Sequence, residues 1–268
     1  MKIVFLTGSH PRHAYMARQL ATTGFLQGLV IEQREEHMLA PPAGLPAATQ
    51  ALFVKHFQDR ADTEEKFFGV DNALPDKVEH MTTAAERLNG PEVQTFIARH
   101  SPDLLLSYGV HKLSAETLAY AKGEKWNIHG GLSPWYRGAI THFWPHYLLE
   151  PQMTGMTIHE LAEHIDAGDV VHQVSAPMVR GDGVHDSACR AVLACANELP
   201  LLVQQLAAGR PVIKRQHRTS GRIWRVQDWQ PAHLHVVYEF YGNRIVDAYL
   251  DGKLGQSRPD LHRQFDIE

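Results

Sequence analysis

Lys2-Ile3-Val4-Phe5-Leu6-Thr7, followed by Gly8-Ser9-His10-Pro11 and later by Gly28-Leu29-Val30-Ile31-Glu32, is the stretch that decides the fold. The first run is short, apolar and rich in β-branched residues, which reads as a buried strand. Ala14, Ala17 and Leu20-Ala21 then recur near the 3.6-residue period of a helix. Gly28 to Glu32 reads as a second strand. Strand, glycine turn, helix, strand opens an alternating α/β unit built on a parallel sheet. Such sheets bind ligands beyond the carboxyl ends of their strands, which makes Gly8 to His13 a candidate ligand loop. That loop lacks Gly-x-Gly-x-x-Gly, so the pattern does not support a dinucleotide.

The alternation continues downstream. Ala51 to Phe68 looks helical, with Phe53, Phe57 and Phe67-Phe68 as core, and Pro91 to His100 is a helix that stops at Ser101-Pro102. Asp103 to Tyr108 is a central strand by its continuous apolar run, and Ser114 suits the N-cap of the next helix. Glu124 to His129, Gly155 to His159 and Val170 to Ala176 are further strands, and Thr141 to Leu149 suits a helix. A long helix starts at Asp182 or Asp186 and reaches about Ala207. Beyond Pro211 the pattern changes: strands within Val212 to Trp229, a helix over Pro231 to Tyr241, and a strand over Arg244 to Leu250. The expected organisation is a catalytic domain over 1–209 and a small α+β C-terminal subdomain over 210–268. Trp224 and Trp229 should pack that subdomain against the main one.

At 268 residues the chain can form one sizeable core plus an appendage. An apolar content of 44% and a charged content of 21% are ordinary for a globular protein, and the net charge of -4 argues against a nucleic-acid binder. A basic stretch, Lys214-Arg215-Gln216-His217-Arg218 with Arg222 and Arg225, reads as a solvated face before it reads as a polyanion contact. Cys189 and Cys195 point to different faces of one helix, so a mutual disulfide is not expected. Few cysteines, no signal-peptide pattern and no long apolar run predict a cytoplasmic protein without a membrane span.

The chemistry concentrates in three segments: Asn127-Ile128-His129, Pro134-Trp135-Tyr136-Arg137-Gly138 and Ile165-Asp166-Ala167-Gly168-Asp169. Residues two apart on a strand share a face, so Asn127 and His129 point the same way. An amide can donate to an oxyanion, an imidazolium can stabilise the same charge, and a carboxylate can orient the imidazole and favour its charged form. Each residue alone is ordinary: a buried amide, a core histidine, a turn former. Their conjunction, each at a strand end, is what makes a site. His142 and His146 have the i, i+4 spacing of metal ligands, but no third ligand is evident and no metal is expected.

The order Asn-x-His, Pro-x-Tyr-Arg-Gly, Ile-Asp-x-Gly-Asp resembles the folate-dependent formyltransferase family, over roughly residues 1 to 180. The resemblance implies a Rossmann-like core, N10-formyltetrahydrofolate as formyl donor, no metal, and Asn127, His129 and Asp166 as the catalytic trio. It also implies that Tyr108, Gly109, Val110, His111, Lys112 and Leu113, with Glu163 and His164, line the donor pocket. Gly8, Ser9, His10, Arg12 and His13, with Arg137, would meet the acceptor. Where the family writes Asn-x-His-Pro-Ser, this chain has Gly130-Gly131, and the missing side chains are expected to widen the acceptor pocket. The leading acceptor is the amine of a nucleotide-linked sugar, because residues 210–268 are short and the chain is net acidic. The alternatives are a methionyl-tRNA formyltransferase-like enzyme, a formyltetrahydrofolate hydrolase, and a folate-binding protein without turnover. A homodimer or an acceptor surface is the expected use of the C-terminal segment.

Overall fold

The structure, a computed structural model, describes residues 1–33, 39–70, 73–162, 166–216 and 221–265. β1 (Ile3–Gly8), α1 (Pro11–Ala21) and β2 (Leu26–Glu32) form the opening unit, with the two strands parallel. α2 (Ala47–Phe68), β3 (Glu79–Thr83), α3 (Pro91–His100), β4 (Leu104–Tyr108), α4 (Ala115–Ala119) and β5 (Glu124–His129) continue the alternation. Then come β6 (Tyr136–Gly138), α5 (Trp144–Tyr147), β7 (Gly155–Glu160), β8 (Val170–Ser175), α6 (Val184–Ala207), β9 (Arg222–Trp224) and α7 (Ile245–Leu250). Seven strands make one sheet in the order β3-β2-β1-β4-β5-β7-β8. It is parallel from β3 to β5, and β7 and β8 are antiparallel additions. This is the expected Rossmann-like α/β core.

The apolar strands are buried on both faces. Ile3 and Phe5 of β1 meet Met16 and Leu20 of α1 and residues of α6, whereas Val4 and Leu6 meet Val93, Phe96 and Ile97 of α3. Alternate side chains of a strand point to opposite faces, so a strand covered by helices on both sides must be apolar throughout. A third cluster is aromatic and joins α2, the segment after β5 and the C-terminal segment through Phe53, Phe57, Tyr136, Trp144, Trp224 and Tyr238. Trp224 is buried in it, and Trp229, half-buried, packs against it.

Three readings change. Arg244 to Leu250, expected as a strand, holds helix α7, because Ile245, Val246 and Tyr249 are buried at helical rather than alternating spacing. Within Thr141 to Leu149 only Trp144–Tyr147 is α-helical. β3 was not expected: it is a largely exposed edge strand with little apolar signature. In the basic stretch, Lys214 pairs with Glu124 and Glu160 at 2.9 and 2.5 Å and Arg215 with Asp260 at 3.1 Å, so neither is a vacant cation. His217 and Arg218 lie outside the described residues. Both cysteines are free and buried.

Candidate functional site

β5 carries Trp126 and Ile128 into the main core, which turns Asn127 and His129 to the opposite face. Opposite Asn127 lie Ser107 on parallel β4 and His159 on antiparallel β7. Ser107 donates from Oγ to Asn127 Oδ1 at 2.8 Å, which leaves Nδ2 of that amide facing His159 Nε2 at 3.2 Å.

Asp166 folds back onto this face from the loop after β7, with a φ of 47°. Its Oδ1 lies 3.3 Å from His159 Nε2 and its Oδ2 3.4 Å from His129 Nδ1. Oδ2 also accepts from the Gly138 amide at 2.9 Å. The loop can run this close to β7 because residue 168 is glycine: a Cβ there would overlap the Glu160 carbonyl. Burial alone would push the Asp166 carboxyl up, but the facing imidazoles of His129 and His159 and the Gly138 amide outweigh it and hold the group well below the usual carboxylate range.

The hydrogen bonds also indicate where the protons are. His129 donates from Nε2 to the Tyr136 carbonyl at 2.8 Å, and its Nδ1 faces the Asp166 carboxylate. Both ring nitrogens of His129 therefore face oxygen acceptors. His159 donates from Nδ1 to the Glu160 carbonyl at 2.7 Å. Its Nε2 lies between a donor, Asn127, and an acceptor, Asp166. The site is therefore a quartet of Asn127, His129, His159 and Asp166. His159 carried no role in the sequence reading; its one signal was its position at the end of a strand predicted to follow the catalytic one.

Gly130-Gly131 does not widen a pocket. A Cβ at residue 131 would overlap the Tyr136 carbonyl and lie 2.7 Å from His129 Nε2, and one at residue 130 would lie 3.2 Å from the His142 ring. The space is filled, and glycine lets the backbone pass beside the His129–Tyr136 hydrogen bond. The segment after His129 is fixed from below: Ser133 donates its amide to Thr157 Oγ1, Thr157 donates to the Gly131 carbonyl, and Gln173 donates to the Ser133 carbonyl.

The other candidate residues are more dispersed. In the donor loop, Tyr108 and Leu113 are buried, Gly109 has a φ of 67°, and the amide and Nδ1 of His111 bind the Glu32 carboxylate. Val110 is half-buried and Lys112 exposed. In the first loop, Gly8 is buried and Ser9 exposed, and the His10 amide donates to His13 Nδ1 at 3.2 Å. His13 is buried edge-on against Tyr108. Arg12 donates to Glu64 at 2.6 Å, so its charge is already matched. Arg137 is buried beside Gly138. Glu163 and His164 lie outside the described residues. His142 donates to the Gly155 carbonyl, and among the described residues no group of three His, Cys, Asp or Glu side chains is placed to hold a metal.

The model of the formyl transferase family matches residues 47–198, a span that contains all four groups of the quartet. Among solved structures, a phosphoribosylglycinamide formyltransferase from Anaplasma phagocytophilum superposes with a TM-score of 0.56 at 17% identity, covering 78% of this chain and 88% of that one. A sugar N-formyltransferase from a Shewanella species gives 0.56 at 15% identity, covering 88% and 87%. An N-formyltransferase from Helicobacter canadensis, in complex with folinic acid and dTDP-3-aminofucose, gives 0.53 at 14% identity, covering 86% and 73%.

Proposed function

This chain belongs to the formyl transferase family, and on that premise we propose that it moves a formyl group from N10-formyltetrahydrofolate to the amine of a nucleotide-linked amino sugar. The observation that carries the reading is the half-buried Asp166 carboxylate held between two imidazoles, with the Asn127 amide directed into the same space. The sugar acceptor is supported by the sugar N-formyltransferases among the structural neighbours, one of them holding an amino sugar linked to a nucleotide.

In the proposed reaction the neutral amine attacks the formyl carbon and the carbonyl electron pair moves onto oxygen. Asn127 Nδ2 donates to that oxyanion, because Ser107 already occupies the other end of the amide. His129, with a hydrogen-bond acceptor at each nitrogen, contributes its charge through space. Asp166 sustains that charge and passes on the proton that the attacking nitrogen loses, directly or through water. Its depressed proton affinity makes it a relay, not a resting site for the proton. The bond from carbon to N10 then breaks, its electron pair stays on N10, and N10 takes up a proton. Tetrahydrofolate and a formamide leave. Holding both substrates together supplies much of the rate.

The donor contacts are proposed on Tyr108 to Leu113 with Glu163 and His164, and the acceptor contacts on Gly8, Ser9 and His10, with Arg12 and His13 shaping the loop from inside. Residues 1–209 are proposed as the catalytic domain and 210–268 as the subdomain that carries an acceptor or dimer surface. The free, buried cysteines suit a reducing compartment, and the cytoplasm is the proposed location.

Mass spectrometry of the protein with N10-formyltetrahydrofolate and a panel of nucleotide-linked amino sugars tests the reading. One formyl group gained by one member, and lost in His129→Ala, is the expected result. Free formate without a formylated sugar would replace the transferase with a hydrolase, and folate binding with neither product would leave a binding protein.

A further inference from the structure

We propose that Trp224 on β9 is a positioning residue for the catalytic pair His129–Asp166, so that the C-terminal segment completes the site. The inference rests on the formyl-transfer reading for its kinetic readout only. The backbone from Tyr136 to Gly138 holds both ends of the pair: its first carbonyl accepts a hydrogen bond from His129 Nε2 and its last amide donates to Asp166 Oδ2. That backbone lies outside the seven-stranded sheet, and its strand partner is β9, in the register Tyr136↔Arg222, Arg137↔Ile223, Gly138↔Trp224. The Trp224 carbonyl accepts from the Ala139 amide at 2.8 Å.

The Trp224 ring is buried against two others. It stacks on Trp144 with centroids 4.3 Å apart and parallel to Tyr136 at 6.2 Å, and Arg222 lies over it at 4.1 Å. Trp144 in turn donates from Nε1 to the Ala139 carbonyl. The two segments approach closely because their contact points are glycines: a Cβ on Gly138 would overlap the Trp224 carbonyl, and one on Gly221 the Pro134 carbonyl. Removing the ring releases the Tyr136–Ala139 backbone, and with it the acceptor that orients His129 and the donor that orients Asp166.

The test uses the full chain as Trp224→Leu and Trp224→Phe, with the ring nitrogens of His129 followed by 15N NMR and assigned by their loss in His129→Gln. Trp224→Leu should shift the His129 nitrogens, lower kcat by roughly 10- to 100-fold and displace the pH profile of kcat. The donor KM should change little, and Trp224→Phe, which keeps a flat face, should restore most of the rate. If Trp224→Leu does not fold, Gly221→Ala carries the same test, because it pushes β9 off the loop while keeping the tryptophan. A folded variant with wild-type His129 resonances and kcat would overturn the proposal and leave β9 as packing. Shifted His129 resonances in a protein whose wild type formylates no amine would keep the positioning role and remove the formyl-transfer reading.

Discussion

Asp166 is the residue on which the site's electrostatics turn. Both of its oxygens face imidazole nitrogens, and Oδ2 also accepts a backbone amide, so an NH2 in place of Oδ2 would set donor against donor, and one in place of Oδ1 would still remove the charge. Asp166→Asn should therefore lower kcat by about 10³-fold or more, because it removes the negative charge beside the His129 ring and the group proposed to relay the amine proton. The check is formamide formation at saturating substrates; wild-type turnover would remove Asp166 from the mechanism. His159→Gln makes a milder case. The variant can still meet Asn127 but presents no ring nitrogen to Asp166, and a kcat loss of roughly 10- to 100-fold with folding intact is expected. A turnover number equal to wild type, measured in the same assay, would make His159 a packing residue. The meeting of Asn127, His129 and Asp166 could be read from the chain because it lies in residue type and short spacing. His159 could not, because its relation to Asn127 is a cross-strand register that only the fold sets.

Elements were legible where both their faces are buried. β1 and β4 are flanked by neighbours in the sheet and covered above and below, so their apolar runs stand out. β3 sits at the exposed edge and has no such run. α7 was misread because Ile245 and Val246 are β-branched, and tertiary packing outweighed that preference. The segment between β5 and β6 shows the same limit. Two glycines invite the idea of a wider pocket, yet the space they vacate holds the Tyr136 carbonyl and the rings of His129 and His142. Gly131→Ala should thus cost about 1–3 kcal/mol of stability and depress kcat as well, because the new methyl displaces the His129–Tyr136 hydrogen bond. Gly130→Ala meets only the edge of the His142 ring at 3.2 Å and should be milder on both counts. Urea midpoints and initial rates of the two variants, taken side by side, check the order; a reversed order would mean that the segment can shift without disturbing His129.

At the scale of the whole molecule, the C-terminal segment is joined to the catalytic unit through a buried histidine–aromatic cluster, and this sets how the protein should respond to acid. His56 on α2 shares a hydrogen bond with the Tyr238 hydroxyl at 3.0 Å, and the same hydroxyl lies 3.3 Å from His185 Nε2 on α6. Burial pushes His56 down to about 3, with Arg60 adding to the effect, and it pushes His142 and His146 down to about 4. His185 is held well below the ordinary value by burial and by the neighbouring His56 and Arg60. In the unfolded chain all four would titrate near 6.5. Below that pH the unfolded state binds protons that the folded state refuses, so stability is complete above 6.5 and declines as the pH falls toward 4. Each histidine adds a slope of up to about 1.4 kcal/mol per pH unit, less where neighbouring sites titrate together. Asp166 extends the loss to lower pH: its folded proton affinity is depressed, so its contribution is full above the ordinary 3.8 and disappears beneath it. Urea unfolding between about pH 7.5 and 4.5 should accordingly give a flat region followed by a steep acid limb. Among the described residues the His146 ring has no side-chain hydrogen-bond partner, only the His142 backbone beside it, so His146→Leu removes a titrating group without leaving a side chain unpaired. That variant should flatten the limb by up to about 1.4 kcal/mol per pH unit. An acid limb of unchanged slope, or stability that rises as the pH falls, would show that this cluster takes up protons while folded and that the attachment of the C-terminal segment does not depend on its neutrality.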